Sequence, residues 1–152
     1  NITLIAGGSM IFLPKFEVGE VTRLIEKATV MMGVPTFYVR LLGSNNLNKE
    51  RAKSIRLFVS GSAPLLAETH KSFEEKTGHK ILERYGMTEI GMALSNSYEG
   101  ERRPGHVGLP LPGVQVRLAD SIWDLNYFTE SLCILSNFYV CSSIDRFNCS
   151  HF

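Results

Sequence analysis

Glu83-Arg84-Tyr85-Gly86-Met87-Thr88-Glu89, entered through the apolar pair Ile81-Leu82, is the stretch on which the reading of this chain turns. It gathers a hydroxyl, two carboxylates and a guanidinium around one glycine. That mixture makes a poor core, and it suits the end of a strand where a nucleotide phosphate and its metal can be held. Upstream stands a second stretch of the same kind, Ser60-Gly61-Ser62-Ala63-Pro64-Leu65, again directly after an apolar run.

Working outward from these two stretches, residues 1–120 alternate between strand and helix patterns. Ile2–Ala6 and Met10–Leu13 are predicted as strands around Gly7-Gly8-Ser9. Val21, Leu24, Ile25 and Ala28 recur at helical spacing, which predicts a helix over Val18–Ala28. Thr29–Val34 is a short apolar run closed by Pro35 and predicts a buried strand; a helix carrying Phe37, Leu41 and Leu42 follows from about Thr36. Ile55–Val59 is the next strand, broken by Gly61. Pro64 suits the first turn of a helix that runs through Thr69 and Phe73 until Gly78 stops it. Lys80–Arg84 is then a strand. Beyond a polar loop at Ser95–Gly105, Val114, Val116 and Leu118 alternate with Gln115 and Arg117 as in a half-buried strand. The β-α-β order predicts an α/β fold with a mainly parallel sheet and flanking helices. Ligands in such sheets bind beyond the carboxyl ends of the strands, where both stretches fall.

Whole-chain quantities exclude several classes. The 152 residues carry a formal net charge of +1, so neither nucleic acid nor a membrane surface is expected to be bound by bulk charge. No run approaches the roughly 20 apolar residues that cross a bilayer. The three cysteines, Cys133, Cys141 and Cys149, lie together near one end and form no disulfide framework or metal spacing, which favours a reducing, cytoplasmic setting. His70, His79, His106 and His151 have no triad-like arrangement. Neither GxxxxGK[ST] nor GxGxxG occurs, which disfavours a P-loop kinase and a Rossmann dehydrogenase.

Each stretch has a plain and a chemical meaning. Gly61 can admit a flat ligand close to the backbone, or can simply serve a tight strand-helix turn capped by Ser62. Thr88 can offer its hydroxyl to a phosphate oxygen and Glu89 a hard oxygen to Mg²⁺, or the pair can open a helix. Two such stretches on successive strand ends favour the nucleotide meaning.

Together, Met32-Gly33-Val34-Pro35-Thr36-Phe37-Tyr38-Val39-Arg40, Ser60–Leu65, Thr77-Gly78-His79, Glu83–Glu89, and Gly100-Glu101-Arg102-Arg103-Pro104-Gly105 leading to Val107–Gly113 resemble the adenylate-forming acyl-CoA synthetase superfamily. The resemblance is strongest to its malonyl-CoA synthetase branch and covers about residues 1–120. It implies part of the large N-terminal domain of an adenylate-forming enzyme, using ATP, Mg²⁺ and CoA to convert malonate to malonyl-AMP and then malonyl-CoA. By this resemblance Ser62, Ala63 and Pro64 line the adenine-ribose wall. Glu83 borders the adenine edge, with Arg84, Tyr85 and Gly86 in the same nucleotide-binding segment. Thr88 contacts the α-phosphate, and Glu89 ligates Mg²⁺.

Arg84 stands where the wider superfamily commonly has a small residue bordering the acyl pocket. An unpaired guanidinium there is costly beside an aliphatic tail and fitting for a substrate with a second carboxylate, which arginine binds with two parallel bonds. Arg40 is the second candidate clamp, or a surface arginine lying along its helix. Arg102 and Arg103 are expected to be solvated. The superfamily's phosphate loop, its Thr-Gly-Asp segment and its lysine-bearing C-terminal domain are not found in these residues. The chain is therefore expected to be an internal piece of a larger ligase, inactive alone, with a poorly ordered tail at 121–152 that has no family character. A synthetase for another short dicarboxylate or short-chain acid, a nucleotide-binding or partner-binding truncation product, and a mitochondrial matrix location are the alternatives.

Overall fold

The computed structural model describes residues 2–116 and the backbone of two later strands, Leu132–Leu135 and Phe138–Cys141. Helices α1 (Ile2–Ile5) and α2 (Val18–Leu24) come first, and a single 3₁₀ turn at Ile25–Lys27 extends α2. Strand β1 (Val30–Gly33), helices α3 (Pro35–Leu42) and α4 (Lys49–Ala52), and strand β2 (Leu57–Ser60) follow. Then come helix α5 (Ala67–Thr77) and strands β3 (Leu82–Met87), β4 (Gly91–Ser95) and β5 (Leu109–Pro110). The two later strands, β6 (132–135) and β7 (138–141), pair antiparallel. Apart from these strands, the expectation for the 121–152 tail lies outside the described residues, as do Leu118 and His151.

The main sheet has the order β1-β2-β3-β4-β5. Its first three strands are parallel, with Val30 opposite Leu57, Gly33 opposite Ser60, and Ser60 opposite Glu83. From β3 onward the pairing is antiparallel, and the register shifts between Tyr85 and Gly86. The expected α/β sheet with flanking helices is present, with an antiparallel continuation that the β-α-β pattern did not announce.

Partners in a parallel register present their side chains to one face of the sheet. On one face Phe58 meets Tyr38 of α3 and Phe73 of α5 edge-on, at centroid separations of 6.5 and 4.9 Å. These rings, with Leu41, Leu47, Ile55, Leu65 and Ile81, form the core. Truncating a ring of this kind to alanine typically costs about 3–5 kcal/mol. Tyr38 keeps its one polar atom satisfied by donating to the Val59 carbonyl at 2.6 Å, and burial pushes its phenol pKa well up.

Four local expectations are corrected. Ile2–Ile5 is a short helix rather than part of a strand, and Met10–Leu13 has no regular structure. Leu4, Ile5, Met10, Ile11 and Phe12 are all exposed, so no neighbouring strand here rewards extension. The α5 helix begins at Ala67, leaving Pro64 outside it, and Ser62 does not cap it. Val114–Val116 is irregular, and the strand of that region is Leu109–Pro110. At the other end Gly78 stops α5 as expected, in the left-handed region at φ +78°, with its N–H donating to Glu74 at 2.7 Å.

Candidate nucleotide and carboxylate site

The parallel register sets Ser60-Gly61 beside Glu83-Arg84, so the two polar stretches meet as their spacing suggested. Their side chains divide between the faces. Glu83 points to the α5 side, where its Oε1 lies 3.9 Å from His70 Nδ1 and accepts the Gly105 N–H at 3.0 Å. Arg84 points to the opposite face and lies across Gly61. A methyl group on Gly61 would stand 2.8 Å from Arg84 Cζ and 2.9 Å from its Nε. Gly61 does admit a flat group close to the backbone, and that group is the chain's own guanidinium. Arg84 Nε is buried without an acceptor, and no carboxylate pairs with this side chain among the described residues.

The segment leaving β2 carries Ser62, Ala63 and Pro64, all exposed. Ser62 has φ +67°, in the left-handed region that non-glycine residues rarely occupy. Such strain concentrates at ligand sites, and here it turns the three residues outward just past the strand end.

Thr88, Glu89 and Ile90 form the turn between β3 and β4, so Thr88 and Glu89 open no helix. Both are exposed. Gly86 lets β4 approach: a Cβ there would meet the Gly91 carbonyl oxygen at 2.4 Å. Tyr85 donates its hydroxyl to Met87 Sδ at 3.4 Å within the same strand. No group of three metal-ligating side chains is present among the described residues. A single exposed carboxylate beside a hydroxyl nonetheless fits Mg²⁺, which usually takes one or two carboxylates and fills its shell with phosphates and water.

Arg40 is exposed on the last turn of α3, its Cζ 4.9 Å over the ring of Phe16. Phe16 in turn stacks on Phe37 with centroids 3.9 Å apart.

Sequence reasoning missed two supports. Asn96, buried at the end of β4, donates from Nδ2 to the carbonyls of Glu83 at 3.0 Å and His106 at 2.5 Å. Arg102, expected to be solvated, is half-buried and donates to the carbonyls of Ser97, Lys80 and Tyr98 at 3.2, 2.8 and 2.6 Å. A lone asparagine after a strand and an arginine in a polar loop carry no periodic signal. Only the folded loop reveals the carbonyls they satisfy. Arg103 stays exposed beside Glu101, as expected.

Burial raises the Glu83 pKa, against the lowering effect of the Gly105 N–H and of His106. Burial lowers the His70 pKa; Glu74 opposes that shift, while Lys80 and Arg102 add to it. The close approach of His70 to Glu83 is therefore that of a neutral imidazole to a carboxyl group, not an ion pair.

An outward turn after β2, a threonine-glutamate hairpin after β3 and an arginine without an ion-pair partner among the described residues meet at one end of the sheet. Residues 1–124 match the AMP-binding enzyme family, and the chain belongs to it. It is 39% identical over 145 residues to the malonate–CoA ligase of Arabidopsis thaliana, covering 82% of this chain and 24% of that one. The mitochondrial malonate–CoA ligase ACSF3 of Mus musculus is 43% identical over 131 residues, covering 74% and 22%. Among solved structures, ATP-bound MatB from Rhodopseudomonas palustris superposes with a TM-score of 0.78 at 59% identity, over 80% of this chain and 24% of that one. The chain thus spans about a quarter of the length of these relatives. No described helix is long and apolar enough to cross a membrane.

Proposed function

We propose that this chain belongs to an ATP-dependent acid–CoA ligase whose acid is malonate, activated as malonyl-AMP and passed to CoA. The observation that carries the malonate reading is Arg84. Its guanidinium lies flat over Gly61 at the strand end, with a buried Nε that has no acceptor. A buried donor without a partner costs about 1–3 kcal/mol, and a carboxylate placed against it supplies the missing acceptor. An aliphatic acyl tail supplies none. Arg40, occupied with Phe16, is secondary in this reading.

ATP is read onto the exposed turn of Ser62–Pro64 and the Glu83–Thr88 segment, with the Thr88 hydroxyl toward the α-phosphate. Glu89 would hold Mg²⁺ together with phosphate oxygens, and the ion supplies charge neutralisation at the phosphates. The residues themselves align the acid and the nucleotide for in-line attack, an effect that can supply about 7–11 kcal/mol of the barrier. Names of the relatives support acid–CoA ligation as the class, and a cytoplasmic or mitochondrial-matrix setting is equally compatible with it.

The test is Arg84→Gly and Arg84→Lys in a complete ligase that contains these residues. Losing a charge-assisted contact of about 1.5–3 kcal/mol should lower kcat/KM for malonate at least about tenfold. Butyrate should lose less, or gain. Arg84→Lys should also fall short, because a point charge cannot reproduce the planar fork. Equal losses for malonate and butyrate would assign Arg84 to the nucleotide or the fold instead.

A further inference from the structure

A small polar cluster is sealed between β2, β3 and α5. The His70 side chain is 1% exposed, and neither ring nitrogen has a partner. Ser60, on the same face through its register with Glu83, also buries an unpartnered Oγ. Glu83 reaches into this cluster with a carboxylate 6% exposed. A residue that merely filled space beside Phe73 would be apolar, because each polar atom left unsatisfied costs about 1–3 kcal/mol. Glu83 Oε1 is the acceptor that faces His70 Nδ1, and a movement of roughly 1 Å brings the pair to hydrogen-bond length.

The same Oε1 takes the Gly105 N–H. Gly105, at φ +74°, lies against the first turn of α5, where a Cβ on it would be 3.7 Å from Ala67 Cβ. The loop from Arg103 to His106 is thereby tied to β3 at one point by Glu83 and at another by Asn96, which holds the His106 carbonyl. It lies behind the strand end from which Arg84 and the Thr88–Glu89 turn project.

We propose that His70 is a positioning residue: its Nδ1–H donates to Glu83, and through that carboxylate it holds the Arg103–His106 loop against β3 and α5 as backing for the nucleotide site. What the loop serves rests on the nucleotide reading above. The hydrogen bond that fixes the loop does not. A neutral imidazole donor leaves Glu83 its negative charge, and an ionised acceptor binds the Gly105 N–H about twice as strongly as a neutral one. No proton changes hands.

The experiment uses the isotope-labelled 152-residue chain. In the wild type, ring ¹⁵N shifts of His70 should show the neutral Nδ1–H tautomer between about pH 7 and 8, above the ordinary histidine pKa of about 6.5. The Nε2–H tautomer overturns the proposal with no variant needed. His70→Leu keeps an apolar filling and removes the donor. It should speed exchange of the Gly105 amide by at least about tenfold while the Val59 amide of β2 stays protected. His70→Gln, which retains an N–H donor, should return Gly105 to within about threefold of wild type. Unchanged protection at Gly105, or equal acceleration at Gly105 and Val59, reduces His70 to packing and overturns the proposal. ATP titration separates the two claims. With these residues placed in a complete ligase, failure of the wild type to bind ATP counts against the nucleotide reading and leaves the ring and exchange data to judge His70. Unaltered ATP affinity in a His70→Leu chain whose Gly105 has been released overturns the backing role.

Discussion

Two residues in the site hold conformations or protonation states that the fold makes costly. Ser62 keeps φ +67° although its side chain caps nothing. A left-handed conformation costs a residue with a Cβ roughly 1–2 kcal/mol, so Ser62→Gly should stabilise the chain by up to about 1 kcal/mol after the added freedom of the unfolded glycine is subtracted. Urea midpoints at constant m-value measure it, and a destabilised glycine variant would mean that the Ser62 hydroxyl has a stabilising role. His70 is the second case. Its folded pKa is below the ordinary 6.5, so the unfolded chain binds more protons between the two values. Stability should therefore fall as pH drops through and below 6.5, levelling once the folded pKa is passed. Glu83, raised by burial, acts with the opposite sign: its penalty grows as pH rises above 4.5 and is complete above its folded pKa. His70→Gln removes only the first of these, so the variant's stability curve should be flatter than wild type just below pH 6.5. A parallel curve would mean that His70 titrates no differently in the folded chain.

Between the residues and the fold stand the elements, and Gly108 shows how tightly one of them is held. It has φ +90°, and a Cβ there would fall 2.0 Å from the Ser95 carbonyl oxygen and 2.2 Å from Asn96 N. Backbone atoms cannot yield as a side-chain end can. Gly108→Ala should detach the β5 approach from β4 and cost at least about 3 kcal/mol, from strain and clash together. Gly113→Ala has φ +83° with open space around it and should cost only about 1–2 kcal/mol. Similar chemical-denaturation losses in both variants would place the whole cost in backbone conformation and none in the close approach. This loop also marks the limit of what could be read from the sequence. Helices α2 and α3, strands β1 and β2 and the stop at Gly78 were legible because apolar spacing and a left-handed glycine announce them, although β1, expected to be a buried strand, holds no fully buried residue and leaves Met32 61% exposed. The pairing of the two polar stretches was legible for the same reason, since both end buried runs. Strand β4 was not: Gly91-Met92-Ala93-Leu94-Ser95 has no strong β-formers, and its pairing is licensed by Gly86 accepting a backbone at contact distance. Helix α4 is a single turn capped by the Asn48 side chain, too short for a period to show. The Arg102 and Asn96 contacts, and the covering of Gly61 by Arg84, are tertiary. No local pattern encodes them.

On the scale of the molecule, one face of the sheet is packed by α3 and α5 and the other presents Arg84, with Met32, two strands away on β1, 61% exposed on the same face. The exposed apolar residues Leu4, Ile5, Met10, Ile11 and Phe12 add a second uncovered surface. The described residues therefore leave Arg84 and the Thr88–Glu89 turn without a sealed chamber around them, and catalysis by charge stabilisation depends on excluding water. The turn Met87-Thr88-Glu89-Ile90 also contains no cationic side chain of its own to meet a departing pyrophosphate. Losing even one preorganised contact to developing charge typically costs about 10²–10³-fold in rate. The 152-residue chain alone should consequently show no malonate-dependent ATP–pyrophosphate exchange and form no malonyl-CoA. The same residues within a complete ligase should support both, and Glu89→Gln in that setting should weaken the response to Mg²⁺ by removing the charge that attracts the ion. Purifying the chain from a host that lacks malonate–CoA ligase makes the assay decisive. Malonate-dependent exchange by the chain itself would show that its open strand edge suffices for adenylation without a chamber that excludes water.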